Sequence, residues 1–172
     1  MDSTNPAKIS RTFTSALIYS TEYKLLHFNS SPPSHPAQTS TPISISLPLR
    51  TALHLYLYLT IRDIPPTQQL IQRLLQRLRD SLEPQIPGFW TANRERRIWL
   101  LWILFVASMA ATTAEDRFWW TRGVQTVCGI LGVKEKGEFE ERLRKCMWVE
   151  RGCGLALEVV WGRVELGSKG GV

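Results

Sequence analysis

At 172 residues the chain is long enough for one domain with a real core and too short for two ordinary ones. A hydrophobic share of 44% excludes wholesale disorder. The excess of 21 Lys and Arg over 15 Asp and Glu gives a net charge of +6, which permits acidic partners without requiring them, because most of the arginines are spread along amphipathic segments.

Taken in chain order, the N-terminus has no apolar stretch close behind its charges, so no secretory signal is expected. The spacing of Phe13, Leu17, Tyr23 and Leu26 predicts a weakly helical segment within residues 1–29. Residues 30–47 are rich in Ser, Thr and Pro and cannot bury much apolar surface, so they read as a linker or loop. Ser46 followed closely by Pro48 marks a helix start. Leu49, Ala52, Leu53, Tyr56 and Leu59 then fall on one helical stripe, although the alternation in LHLYLYL also suits a strand. Pro65-Pro66 ends that run.

Thr67 is expected to cap the next helix, TQQLIQRLLQRLRDSL, with Leu70, Ile71, Leu74, Leu75, Leu78 and Leu82 on its inner face. Two heptads are too short for a coiled-coil dimer on their own. Pro84, Pro87 and Gly88 close the segment, and Phe89-Trp90 is placed to tuck back into a core. A charge-free run follows at 98–114. After it, Trp120, Val124, Val127, Cys128 and Leu131 share one face of a helix that Gly132 stops. GEFEERLRKCMW offers three i,i+4 ion pairs, Glu138–Arg142, Glu140–Arg144 and Glu141–Lys145, over an inner face of Phe139, Leu143, Cys146 and Met147. LALEVVWGRVEL reads as a last helix and residues 167–172 as a flexible tail. The fold expected is all-α, an irregular bundle of about six helices around a central apolar helix at 98–114.

No catalytic, cofactor-binding or metal-binding residues emerge. Cys128, Cys146 and Cys153 are an odd, sparse set expected to be reduced thiols of an intracellular protein, and they lack the paired spacing of a zinc site. His27, His35 and His54 are distant from them in sequence. Cys128 and Cys146 lie on apolar stripes, where cysteine behaves as a small hydrophobe. No nucleophile motif or P-loop occurs, the 138–141 acidic run reads as a solvated helix face, and the glycines of RGCGLALE are too isolated to cradle phosphate. The tryptophans of the C-terminal half read as core anchors, in a bundle that leaves room for a small apolar ligand. Arg73, Arg77, Arg79, Arg94, Arg96 and Arg97 are the residues through which autonomous nucleic-acid binding would have to act.

The run at 98–114 carries Trp near both ends and RERR before it, a pattern that also fits a membrane span. Against that, 17 residues of helix reach only about 25 Å, short of a hydrocarbon core of about 30 Å. Its second half is poor in strong hydrophobes, and its neighbours are amphipathic and need an apolar helix to pack on.

Two stretches carry a resemblance. Residues 52–78 run Leu55-Tyr56-Leu57-Tyr58-Leu59, then Arg62-Asp63-Ile64-Pro65-Pro66, then a Leu/Arg amphipathic helix. Residues 98–148 run Leu101-Trp102-Ile103-Leu104-Phe105-Val106, an acidic–Arg turn at Glu115-Asp116-Arg117 before Phe118-Trp119-Trp120, a helix ending Gly129-Ile130-Leu131-Gly132, and one finishing Met147-Trp148. With Val159-Val160-Trp161 as the ending, this order resembles the fungal-specific transcription factor domain, the helical regulatory region of fungal zinc-cluster regulators, over roughly residues 48–165.

The resemblance implies an all-α, non-enzymatic regulatory or interaction domain at 48–166, with 98–114 as a buried helix. It implies nuclear localisation (the alternative being cytoplasmic) and protein partners, either transcriptional machinery or a zinc-cluster regulator, with room for a small-molecule effector. The six cysteines of a zinc cluster are absent, so no zinc and no direct DNA contact are carried over. The usual first part of the domain looks missing or reduced to residues 10–28, and the chain is expected to be a truncated C-terminal portion. The competing readings are a single-pass membrane protein anchored by 98–114 and a relic fragment without autonomous function.

Overall fold

The computed structural model describes residues 46–86, 88 and 92–169. The chain divides into two compact units, Met1–Pro42 and Ile43–Val172, and every described residue lies in the second. The expected segment at 1–29, residues 30–45 of the expected linker at 30–47, His27, His35 and the Phe89-Trp90 pair lie outside the described residues, and the last two linker residues, Ser46 and Leu47, are already helical.

Helix α1 spans Ser46–Thr60. The strand-like alternation of its sequence yields to helix because several registers of the run are buried at once: Ala52, His54, Leu55 and Tyr56 all lie inside. Leu55 was not part of the expected stripe. Two threonines can be buried as well, because Thr51 Oγ1 donates to the Leu47 carbonyl (2.9 Å) and Thr60 Oγ1 to that of Tyr56 (2.6 Å). The helix stops where Asp63 takes a left-handed φ of 50° and the Ile64 N–H returns to the Tyr58 carbonyl at 2.9 Å.

Thr67 does not cap the second helix. The Gln68 N–H bonds the Pro65 carbonyl at 3.0 Å, which leaves Thr67 exposed in a turn, and α2 runs Gln69–Leu82 with Gln68 at its cap position, making no side-chain cap bond. A different side chain secures this end. Gln72 Nε2 donates to the Pro66 carbonyl (2.6 Å) and to that of Ala110 (3.1 Å). Ile71, Leu75, Leu78 and Leu82 are buried and Leu74 partly so, whereas Leu70, expected inside, is exposed. A 3-10 turn at Glu83–Gln85, with Pro84 inside it, follows.

The expected central helix shifts toward its basic flank. Asn93 caps α3, Arg94–Ala110, by accepting the Arg96 N–H at 2.9 Å, so RERR forms its first turn. It ends at Ala110 because Ala111 is extended and Thr113 begins the next helix. Residues 98–114 are therefore not one helix. The charge-free helix from Ile98 to Ala110 reaches only about 20 Å, and no helix among the described residues is long and apolar enough to cross a membrane. Leu100 through Ser108 are buried without interruption, so every face of α3 is covered, and it touches all the other helices. Buried Ser108 donates to the Leu104 carbonyl at 2.8 Å.

Helix α4, Ala114–Leu131, starts on Thr113, which accepts the Asp116 N–H and donates to the Asp116 carboxylate (2.7 Å). Glu115-Asp116-Arg117, expected as a turn, instead forms the first helical turn, where acidic side chains favour the positive end of the helix dipole. Trp120, Val124, Val127 and Cys128 are buried and Leu131 partly so. Gly132 ends the helix at φ 70°, a conformation that favours glycine.

Helix α5, Lys136–Arg144, makes two of its three expected ion pairs, Glu140–Arg144 at 2.7 Å and Glu141–Lys145 at 3.0 Å. Glu138 turns back instead to accept the Lys134 N–H at 2.9 Å, satisfying a backbone donor ahead of the helix. Helix α6, Glu150–Lys169, is longer than expected, taking in RGCG and the start of the presumed tail. Among the described residues the result is an all-helical bundle of six helices with α3 on its axis.

Aromatic side chains knit that axis to its surroundings. Trp102 is fully buried, meets Tyr56 of α1 at 5.4 Å between ring centroids, and donates Nε1 to the Met147 carbonyl at 2.9 Å. Phe105 packs edge-on to Phe139 of α5 and stacks with Trp148, and Phe139 continues to Trp161 of α6.

Candidate functional site

The groups that might carry chemistry are mostly committed to packing. Burial pushes the Cys128 thiol up to about 12 and the Cys146 thiol up to about 11, so both stay protonated and weakly nucleophilic near neutrality. Cys153 is buried, its thiol 3.7 Å from the Tyr56 hydroxyl. Burial, reinforced by that thiol, raises the Tyr56 phenol well above its ordinary value. His54 is buried and stacks with Tyr58. Among the described residues no three His, Cys, Asp or Glu side chains come together in a way that could hold a metal ion.

The acidic run on α5 is a solvated face with one structural clamp. Arg144 lies over the Trp148 ring at 4.8 Å and reaches Glu140 (2.7 Å) and Glu150 (2.9 Å). Glu150 also accepts the Trp148 Nε1 hydrogen at 2.8 Å, and that bond, with Arg144 second, holds its carboxyl below the usual range.

The six arginines considered for nucleic acid do not act as one set. Arg79 of α2 sits over Trp119 at 4.8 Å and pairs with Asp116 at 3.7 Å. Arg96 and Arg97 both have interactions of their own. Arg73 and Arg77 are exposed four residues apart on α2, and exposed Arg94 belongs to the first turn of α3 beside Glu95.

The feature with the form of a binding site was not anticipated. A cleft of about 380 Å³ opens between the corner after α1, the end of α3 and the length of α6. Leu59, Ile64, Pro65 and Pro66 come to it from α1 and the corner that follows, Ser108 and Met109 from the end of α3, and Leu155, Ala156, Val159, Val160 and Arg163 from α6. Asp63 stands at its edge, exposed. Leu155 and Val159 are 78% and 53% exposed, high values for two aliphatic side chains one helical turn apart. A sequence signal for them existed: beyond the buried stripe of Cys153, Leu157, Val160 and Val164, α6 carries a second apolar stripe for which packing leaves no partner.

Arg163 gives the cleft its charge. Its guanidinium is half-buried and makes a long 3.5 Å contact to the Ser108 carbonyl, with no ion pair among the described residues. Burial, then repulsion from Arg117, lowers its proton affinity. A second, smaller cavity of about 180 Å³ is polar, lined by Gln72, Gln76, Arg79, Asp116, Leu75 and Trp120, and belongs to the α2–α4 joint.

No curated protein and no solved structure matches the chain. Residues 4–151 match the model of the fungal specific transcription factor domain. The match begins well before residue 48, so residues 10–28 lie within it. It ends at 151, leaving Val159-Val160-Trp161 and most of α6 beyond it. With most of its length matched and, among the described residues, five helices packed on a buried sixth, the chain belongs to the fungal specific transcription factor domain family and carries that family's non-catalytic helical domain.

Proposed function

We propose that this chain works in the nucleus as the regulatory part of a fungal transcription regulator, and that it acts by contacting other proteins. Residues 48–166 are its working unit, and the Ser/Thr/Pro-rich stretch at 30–47 connects that unit to what precedes it. The observation that carries the reading is the family match over residues 4–151. The exposed apolar cleft beside α6 supports it, because a protein-contacting domain needs apolar surface that its own core does not consume. Contact with DNA through this chain's arginines is not part of the reading, since Arg79 is taken by Asp116 and Trp119.

The test joins the chain to a fluorescent protein and, separately, to a heterologous DNA-binding module upstream of a reporter in a fungal host. The expected outcome is nuclear accumulation, a change in reporter output, and co-purification with transcriptional machinery or a zinc-cluster regulator. A chain that stays out of the nucleus and leaves the reporter untouched overturns the proposal.

A further inference from the structure

We infer that the cleft beside α6 is a docking groove for an acidic amphipathic helix of a partner protein, with Arg163 receiving a carboxylate and Leu155 and Val159 receiving apolar anchors. This assignment rests on the protein-partner reading above and names the chemistry of the partner.

The shape of the groove argues for a macromolecular occupant. Leu59, Ile64 and Met109 line it together with Leu155 and Val159, and the last two have most of their surface in solvent. Small-molecule sites enclose most of their ligand, which a groove with so exposed a wall does not. An amphipathic helix, by contrast, lays side chains at i, i+4 and i+7 into an open apolar groove and leaves its other face wet. The ridge made by Leu155 and Val159 has the matching one-turn spacing.

Charge selects the kind of helix. Arg163 lines the same groove, half-buried and short of a countercharge, with the like charge of Arg117 near enough to disfavour its protonated form. Arg117 itself donates Nε to the Ala111 carbonyl at 3.3 Å and has no ion pair among the described residues. A carboxylate brought to Arg163 would make the charge-assisted hydrogen bond this guanidinium lacks. Asp63 is the acidic residue of the lining, but it is exposed, so solvent screens it more than Arg163. Leu155, Val159 and Arg163 all lie beyond residue 151, outside the family match, whereas Leu59, Ile64 and Met109 lie within it.

The test uses the full chain and a fluorescein-labelled amphipathic peptide with leucines along one face and glutamates along the other, read by fluorescence anisotropy. A control peptide replaces the glutamates by lysines. The acidic peptide is expected to bind, more weakly as salt rises, and the lysine peptide at least about tenfold more weakly. Arg163→Gln should erase most of that difference, and Leu155→Ser and Val159→Ser should each weaken binding by about tenfold. Unchanged circular dichroism and Tm confirm that these variants fold.

Equal binding of both peptides, or binding that ignores all three substitutions, overturns the assignment. So does a dimer in sedimentation that Leu155→Ser abolishes, since the groove would then hold a second copy of this chain. Binding of dodecanoate with the same Arg163 dependence and no binding of the acidic peptide would make it a small-molecule site and overturns the assignment too. A chain that changes reporter output but ignores the acidic peptide sinks the groove assignment alone. A chain that binds the peptide as expected yet is inert in the nucleus sinks the regulatory reading alone.

Discussion

Asp63 has the most demanding backbone among the described residues, a non-glycine residue at φ 50° between the end of α1 and Pro65-Pro66. Aspartate tolerates the left-handed region because its short polar side chain bonds locally, whereas a β-branched side chain does not. Asp63→Val is therefore expected to cost about 1–2 kcal/mol in urea denaturation, while Asp63→Gly leaves stability equal or higher. The cysteines make a second expectation at this scale. Their raised folded pKa values mean that folding favours the protonated thiol, so the stabilisation is complete below the ordinary thiol pKa of about 8.5. It is lost as pH rises toward the values of about 11 for Cys146 and about 12 for Cys128. The urea midpoint should thus fall between about pH 8.5 and 11, and Cys128→Ala should flatten that slope. The roles of Cys128 and Cys146 were legible in the sequence because both sit on apolar stripes. Asp63 was not, since a left-handed residue depends on how a turn closes.

Pairs of helices meet closely where glycine removes a side chain, and two glycines of α6 separate that role from simple flexibility. A Cβ on Gly152 would lie 2.8 Å from Thr60 Cγ2 and 3.3 Å from Thr60 Cα, so α1 and α6 touch there almost backbone to backbone. A Cβ on Gly154 would meet nothing within 4 Å. Gly154→Ala is expected to stabilise by about 0.5–1 kcal/mol through helix propensity. Gly152→Ala gains the same propensity but overpacks the crossing, for a net loss of about 1–2 kcal/mol. Thermal denaturation of the two variants should move in opposite directions.

Misreadings at this scale share a cause. Thr67, Glu115-Asp116-Arg117 and the 98–114 boundary were all assigned by local residue type. The structure decided them by how each corner closed: the Gln68 N–H on the Pro65 carbonyl puts Thr67 in a turn, and Thr113 accepts the Asp116 N–H. Long stripes such as Trp120, Val124, Val127 and Cys128 were read correctly, because periodicity over more than two turns outweighs any single cap.

For the molecule as a whole, α3 is the piece on which the other helices depend. Trp102 fills its middle, touches Tyr56 and satisfies the Met147 carbonyl, so Trp102→Ala is expected to cost about 3–5 kcal/mol in chemical denaturation and to loosen the α5–α6 connection with the core. The architecture was legible because a charge-free segment flanked by amphipathic ones has few places to go except the centre of a bundle. The cleft was not. Leu155 and Val159 sit in a run whose other apolar residues are buried, and composition cannot distinguish a side chain that packs from one that waits. Their neighbours Met109 and Ile64 come from parts of the chain far away in sequence, so the groove exists only once the helices are assembled.

Gln72 gives that assembly a mechanical character. The two hydrogens of its side-chain amide go to two carbonyls, Pro66 in the corner after α1 and Ala110 at the last residue of α3. Pro66 lines the cleft, and Ala110 adjoins Met109, which lines it too. One planar amide thus rivets the corner after α1 to the end of α3, and a shift of either alone would break one of its two bonds. The corner after α1 and the end of α3, from which Ala111 and Thr113 lead into the first turn of α4, are thereby tied to one side chain of α2.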